Sequence, residues 1–264
     1  MNNLTQLRIS IIGAGNVAHA LSHSMLIGGV EIVEIFNRDK DKAEKLAYEL
    51  GGIKVVDKIE ILDTTVDAVA VLVKDDAIEE VARQIPKGID RFHVSGVTER
   101  EVLGGVNGVI WPIKSFNSES KNDSLESVPF GIDASCSEFR EKLDRIVYCV
   151  GGQGFSAPSE VRSKVHLAAV FSDNFTNHCL AISQQILKDS GLPSDLMQSL
   201  VKGLLIGASS GNSYERQTGV AIRGDEGSMQ KHLDIIQSFD NNEQLSEFYD
   251  FLSKHIAISH NNNK

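Results

Sequence analysis

Through the first half of the chain, short apolar runs of strand length alternate with stretches in which apolar residues return every three to four positions. Through the second half only the helical period persists. The first half predicts strands over residues 7–12, 31–36, 54–56, 67–73, 92–94, 109–111, 130–132 and 147–150. The run at 67–73, Asp-Ala-Val-Ala-Val-Leu-Val, has almost no polar face, as a strand covered on both sides requires. Helices are predicted after Gly15, over 39–50 up to Gly51, and from an Asp75 or Asp76 cap through Ile78, Val81 and Ile85 to the stop at Pro86 and Gly88. Residues 115–127 are polar and loop-like. This alternation predicts a doubly wound α/β domain. After Gly151-Gly152-Gln153-Gly154 the pattern changes. Val161, Val165, Ala168, Phe171, Phe175, Leu180, Ile182 and Ile186 keep helical spacing over 159–187, and Gly191-Leu192-Pro193 breaks it. Further helices are predicted near 194–205, from Ser228, and over 242–256. Residues 1–154 are therefore expected to form the sheet domain and 155–264 an all-helical domain.

The turn between the first strand and the first helix reads Gly13-Ala14-Gly15-Asn16-Val17-Ala18. Gly13 permits a tight turn, Gly15 lets the backbone approach a pyrophosphate, and Ala18 lets helix and strand pack closely. Free N–H groups and the dipole at the helix N-terminus favour the phosphates. In this context the motif predicts a Rossmann dinucleotide site. An NAD site places Asp or Glu about 20 residues further on, to hold the ribose 2′-hydroxyl. Here the second strand ends in Asn37-Arg38. Arg38 can form a forked pair with a 2′-phosphate, and Lys40 and Lys42 add positive potential, so NADP is favoured. The lesser role for Asn37 is to cap the next helix.

At 264 residues the chain can hold two domains, and its composition is that of a globular protein. A formal net charge of −10 argues against a nucleic-acid partner. No apolar run approaches the ~18 residues that suggest a membrane span, and residues 1–6 lack the basic and apolar regions of a signal peptide. Cys136, Cys149 and Cys179 are scattered without a C-x-x-C pair, so reduced thiols in a cytoplasmic protein are expected.

His93 and Ser95 stand at the carboxyl end of a predicted central strand, the edge at which open α/β sheets bind ligands. They either position cofactor or substrate, or Ser95-Gly96 serves as a turn or cap. With Val73 and Gly96 they complete an expected cofactor-binding set of Gly13, Gly15, Asn16, Val17, Asn37 and Arg38. On the first helix past the sheet, His166 and Asp173 share a face, and Asn174 lies ~80° from His166 at ~100° per residue. These polar groups either polarise and protonate a substrate or serve a domain or dimer contact. His166 and Asn174 are the candidate catalytic pair. Arg223 and Asp225, in a glycine-bounded loop, either clamp a substrate carboxylate or pair with each other. His19 and His23 have the i, i+4 spacing of metal ligands. No third ligand accompanies them in the sequence, so they are read as helix residues and no metal is expected.

The chain's motifs run in a characteristic order. The glycine fingerprint comes first, then Asn37-Arg38, then a strand ending His93-Val94-Ser95-Gly96. Val165-His166-Leu167-Ala168-Ala169 and Ser172-Asp173-Asn174-Phe175 follow, then Thr218-Gly219-Val220-Ala221-Ile222-Arg223-Gly224-Asp225 and His232-Leu233. Over nearly its whole length the chain resembles the Rossmann-like proteins with a C-terminal helical domain of unknown function. That family is akin to pyrroline-carboxylate reductase and more distantly to ketopantoate reductase and phosphogluconate dehydrogenase. The resemblance implies a Rossmann fold with a helical second domain and a nicotinamide cofactor. Two positions depart from the family. Trp111-Pro112 stands where a His-Pro pair is usual, and Lys164 is followed four residues on by Ala168 where the hydroxyacid dehydrogenases carry Asn. By analogy with ketopantoate reductase Lys164 is a candidate acid; otherwise it is a solvated helix lysine. The resulting expectation is an NADP(H)-dependent oxidoreductase acting on a small carbonyl or imine. The alternative is an NADP-binding sensor or interaction protein without turnover. A methyltransferase is disfavoured, because it wants an acid after the second strand. A helix of ~28 residues, or about 42 Å, exceeds what a small domain needs, so a homodimer through the helices is expected.

Overall fold

A computed structural model describes residues 6–119, 123–211, 213–239 and 242–262. The chain divides into two compact units, Met1–Cys179 and Leu180–Lys264.

The first unit is built on one eight-stranded sheet in the order β3-β2-β1-β4-β5-β6-β7-β8. The strands are β1 (Arg8–Ile12), β2 (Glu31–Phe36), β3 (Lys54–Val55), β4 (Ala68–Val71), β5 (Arg91–His93), β6 (Asn107–Pro112), β7 (Pro129–Ala134) and β8 (Gln153–Ser156). The first six run parallel, β7 is antiparallel to β6, and β8 is parallel to β7. Successive residues of β4 point to opposite faces: Ala68 and Ala70 join one buried cluster, Val69 and Val71 the other. This is why the run has no polar side; each face meets its own apolar layer. Helices α1 (Asn16–Ile27), α2 (Lys40–Glu49), α3 (Ile78–Ala82) and α4 (Ser137–Cys149) follow strands, and α5 (Ser159–Ala169) follows β8. This is the doubly wound, Rossmann-like architecture, with a helical region after it.

Two local expectations are corrected. Residues 147–149 are the last turn of α4. Phe139, Leu143, Ile146 and Val147 form its buried stripe, so the β-branched, aromatic run belongs to a helical period that began ten residues earlier. The strand itself lies further on, in β8, a four-residue edge strand whose Gly154 and exposed positions carry no apolar alternation. Asp39, not Asn37, caps α2: its carboxylate accepts the Lys42 N–H, while the Asn37 side-chain amide donates to the Asp39 carbonyl at 2.8 Å.

The long helix expected over 159–187 is interrupted in phase. α5 passes into a π-helical segment, Val170–Phe175, and then into α6 (Thr176–Asp189), within which the two units divide. The Thr176 hydroxyl donates to the Phe171 carbonyl at 3.0 Å and supports the wide turn. The second unit continues with α7 (Gln198–Ala208), α8 (Val220–Arg223), α9 (Glu226–Ile236) and α10 (Asn242–Asn262). Among the described residues no helix is long and apolar enough to cross a membrane.

Candidate cofactor and substrate site

The β1–α1 turn is shaped by backbone. Gly13 has φ of +124°, its N–H donates to the Phe36 carbonyl at 2.8 Å, and a Cβ there would lie 2.1 Å from the Leu72 carbonyl oxygen. Only glycine fits between β1 and the end of β4. Gly15 is different: among the described residues, its chain neighbours aside, nothing lies within 4 Å of where its Cβ would be. It is the N-cap of α1 and offers no side chain to the first N–H groups, so an uncapped helix end faces open space. Asn16 and Val17, the first residues of α1, are half-buried. The Asn16 amide donates to the Phe116 carbonyl at 3.4 Å and so ties the turn to the loop after β6.

Past β2, Arg38 is exposed, and no hydrogen bond or ion pair is seen for it among the described residues. Its basic neighbours are engaged: Lys40 pairs with Asp57 at 2.8 Å and Lys42 with Asp39 at 3.2 Å. Arg38 is thus the guanidinium left available at this edge.

At the end of β5, His93 is fully buried, and burial pushes its imidazolium pKa down to about 4. The ring is neutral at pH 7. Its Nδ1 accepts the Ser95 N–H at 3.1 Å, which leaves the proton on Nε2, 3.4 Å from the Glu99 carbonyl. The Ser95 hydroxyl oxygen accepts the Val97 and Thr98 N–H groups at 3.2 and 3.0 Å. Both side chains therefore shape the 95–99 loop. Val73, after β4, is half-buried.

That loop docks α5. Arg162 is wholly buried; its guanidinium donates to the Thr98 carbonyl at 2.7 Å and the Ala157 carbonyl at 3.2 Å, and it lies 3.7 Å from Asp133. The Ser159 hydroxyl is hydrogen-bonded to Glu99. His166 follows Arg162 by one turn on the same face and is carried to Gly96 and Trp111. A Cβ on Gly96 would lie 2.7 Å from His166 Cδ2 and 2.8 Å from Trp111 Cε2. The two rings stand 5.8 Å apart. Gly96 thus serves close packing, which its sequence position alone did not reveal.

His166 and Asn174 line one pocket of about 500 Å³, with Trp111, Lys114, Ser115 and Asp173 among its other walls. His166 is half-buried and Asn174 exposed. Asp173 is hydrogen-bonded to the Ser115 hydroxyl. Lys164 points elsewhere: it is exposed and paired with Glu160 at 2.6 Å. Arg223 and Asp225 belong to the second unit. There Asp225 caps α9, accepting from the Ser228 N–H at 3.0 Å and its hydroxyl at 2.8 Å, which holds its carboxyl below the usual range. Ser115, Arg162 and Thr98 were not singled out from sequence. Only Arg162 left a signal, as a cation on the apolar face of its helix.

Residues 8–95 match the family model described as NADP oxidoreductase, coenzyme F420-dependent, and residues 128–256 match a domain of unknown function, DUF2520. No curated protein matches the chain. Among solved structures, a provisionally assigned NADP oxidoreductase from Bacteroides fragilis is 29% identical; the match covers 96% of this chain and 98% of that one, with a TM-score of 0.85. A pyrroline-5-carboxylate reductase from Coxiella burnetii, 17% identical with 98% of each chain covered and a TM-score of 0.57, shares the fold. So does an imine reductase from Myxococcus stipitatus solved with NADP+, 18% identical over 94% of this chain and 92% of that one, with a TM-score of 0.63. An NADP oxidoreductase domain followed by a C-terminal domain of unknown function is the pairing the motifs imply.

Proposed function

We propose that the protein is an NADP(H)-dependent oxidoreductase that reduces a small carbonyl or imine. The observation that carries this reading is a line of contacts within the first unit. Asn16 reaches Phe116 from the glycine turn, and Ser115, one residue back, holds Asp173 at the pocket of His166 and Asn174. A pocket carrying His166, Asp173 and Asn174 is thus linked through the loop after β6 to an uncapped helix end. The imine reductase solved with NADP+ and the pyrroline-5-carboxylate reductase support the substrate class.

In this reading Gly13, Gly15, Asn16 and Val17 cradle the pyrophosphate, and Asn37 with Arg38 takes the 2′-phosphate. Val73, His93, Ser95 and Gly96 form the floor at the nicotinamide end. Reduced nicotinamide, when bound, supplies a hydride. His166 polarises the substrate oxygen or nitrogen and gives it a proton, leaving a neutral imidazole. The Asn174 amide orients the same group, and Trp111 excludes water from below. Arg223 and Asp225 are not needed for this chemistry.

The test is calorimetric titration of NADPH and NADH, repeated on Arg38→Ala. A forked, charge-assisted pair contributes about 1.5–3 kcal/mol, so NADPH should bind roughly ten- to a hundredfold tighter than NADH and lose that margin in the variant. Equal affinities in the parent protein would overturn the cofactor choice. Tight NADPH binding with no turnover on any carbonyl or imine would favour a sensor, a reading to which the pairing of Lys164 with Glu160 lends weight.

The active assembly is proposed to be a homodimer. In α7, Leu200, Leu204, Leu205 and Ile206 are exposed, Ile206 at 75%. An apolar face of this kind marks an interaction surface, and a two-fold pair of identical faces covers it most simply. Light scattering showing a monomer at high concentration would exclude it. The thiols of Cys136, Cys149 and Cys179 are free, which accords with a reducing, cytoplasmic setting.

A further inference from the structure

The first helix of the sheet carries a polar group that the proposed reaction does not use. His19 and His23 stand one turn apart on α1, and the sequence shows no third ligand near them. The fold supplies one. Glu49, the last residue of α2, places Oε2 3.0 Å from Nδ1 of His19 and 4.0 Å from Nε2 of His23. One ligand atom from each of the three residues lies within 4.8 Å of the other two. His19 is 4% exposed. Beside it, α1 buries two polar atoms that have no hydrogen-bond partner among the described residues, Nε2 of His23 and Oγ of Ser22. A buried imidazole nitrogen left unsatisfied is unfavourable, and a bound cation removes that cost.

We propose that His19, His23 and Glu49 bind one divalent transition-metal ion of the zinc class. Two imidazoles and a carboxylate suit zinc and its neighbours, and three protein ligands leave the fourth position to water. Metal–ligand bonds of about 2.0–2.2 Å set tetrahedral ligand atoms roughly 3.3–3.6 Å apart. The 3.0 and 4.0 Å separations bracket that spacing. The His23 and Glu49 side chains, 28% and 34% exposed, have room to adjust. The buried His19 is held nearer its final place. Such an ion would fasten α1, whose N-terminus forms the glycine turn, to the end of α2. It would be a structural clamp, separate from the pocket of His166.

The experiment uses the full chain stripped of metal. Zinc binding is followed by calorimetry and cobalt(II) binding by visible absorption, in the parent, His23→Gln and Glu49→Gln. His19 is left in place because its burial makes a folding defect the expected result of changing it. NADPH affinity and circular dichroism report whether each variant is folded. One equivalent should bind, with cobalt bands that lack thiolate charge transfer, and zinc should raise the parent's melting temperature. Loss of an outer-shell partner alone typically costs 10- to 100-fold, so loss of a ligand should weaken binding by at least about tenfold. No saturable binding up to millimolar metal would overturn the proposal. So would unchanged affinity in both folded variants, or a thiolate band assigning the metal to Cys136, Cys149 or Cys179.

Discussion

The two sides of the candidate site are made of different material. On the sheet side, the glycine turn is drawn in backbone: Gly13 at positive φ against the Leu72 carbonyl, Gly15 open to solvent, and helix N–H groups without a cap. On the helix side, His166 projects from α5, and Asp173 and Asn174 from the π turn that follows it, whose residues are mostly exposed. The first side is suited to a ligand that is always the same, since backbone geometry tolerates almost no substitution. The second is suited to a ligand that varies among relatives, since side chains on one helical stretch change without disturbing the sheet.

The sharpest way to break this contrast is to change the two glycines. Gly13→Ala drives a Cβ into a carbonyl oxygen at 2.1 Å in a backbone conformation that L-residues rarely adopt. We expect a loss of about 3 kcal/mol or more, read by urea unfolding, with cofactor binding lost alongside. Gly15→Ala meets no protein atom, so stability should stay within about 0.5 kcal/mol while NADPH affinity falls. Equal stability losses in the two variants would mean that the turn, not the ligand, needs both glycines.

His166→Ala tests the helix side. A positioned acid contributes typically 10²–10⁴-fold, so turnover on a carbonyl or imine should fall by at least about a hundredfold, with NADPH affinity nearly unchanged. A parallel drop in NADPH affinity would instead make His166 part of the cofactor floor, through its contact with Gly96 and Trp111.

How much of this was legible in the sequence follows the same divide. Gly13, Gly15 and the missing acid after β2 are readable because backbone constraints name the residue that meets them. The buried strands are readable because β4 alternates between two apolar layers. The run at 147–150 misled because its residue types favour strands while its period belongs to α4. β8 was invisible because a short, mostly exposed edge strand has no apolar alternation. On the helix side, the ~80° offset of Asn174 from His166 assumed an unbroken α-helix, and the π segment resets that phase without any mark in composition. The buried Arg162, which sets the position of α5 against the 95–99 loop, donates to the Thr98 carbonyl, which is remote in sequence. The pairing of His19 with Glu49 likewise joins two separate helices that no local pattern brings together.

His93 allows a test that involves no ligand. Its pKa is lowered from 6.5 to about 4 by burial, so the folded state takes up the proton less readily than the unfolded chain. Its contribution is complete above pH 6.5, falls as pH drops toward 4, and changes no further below that. Between pH 7 and 4.5 it accounts for about 2–3 kcal/mol of lost stability, at 1.36 kcal/mol per pKa unit. Urea unfolding at the two pH values should show that slope in the parent and less of it in His93→Asn. An identical slope in both would place the acid sensitivity elsewhere.

The smallest effect concerns what holds the π segment. Asp173 and Ser115 are exposed, so their hydrogen bond is worth at most about 1 kcal/mol. It is nonetheless the contact that ties Val170–Phe175 to the loop after β6, and Asn16 ties that loop to the glycine turn. Ser115→Ala should therefore speed amide exchange across residues 170–175 a few-fold, in proportion to so small a free energy, while leaving global unfolding unchanged. NADPH, if it binds at the turn and orders the loop through Asn16, should slow the same amides in the parent and less so in the variant. If exchange is untouched by the substitution, the Thr176–Phe171 bond and the helices on either side are sufficient to hold the wide turn. The two sides of the site would then be coupled only through the substrate they share.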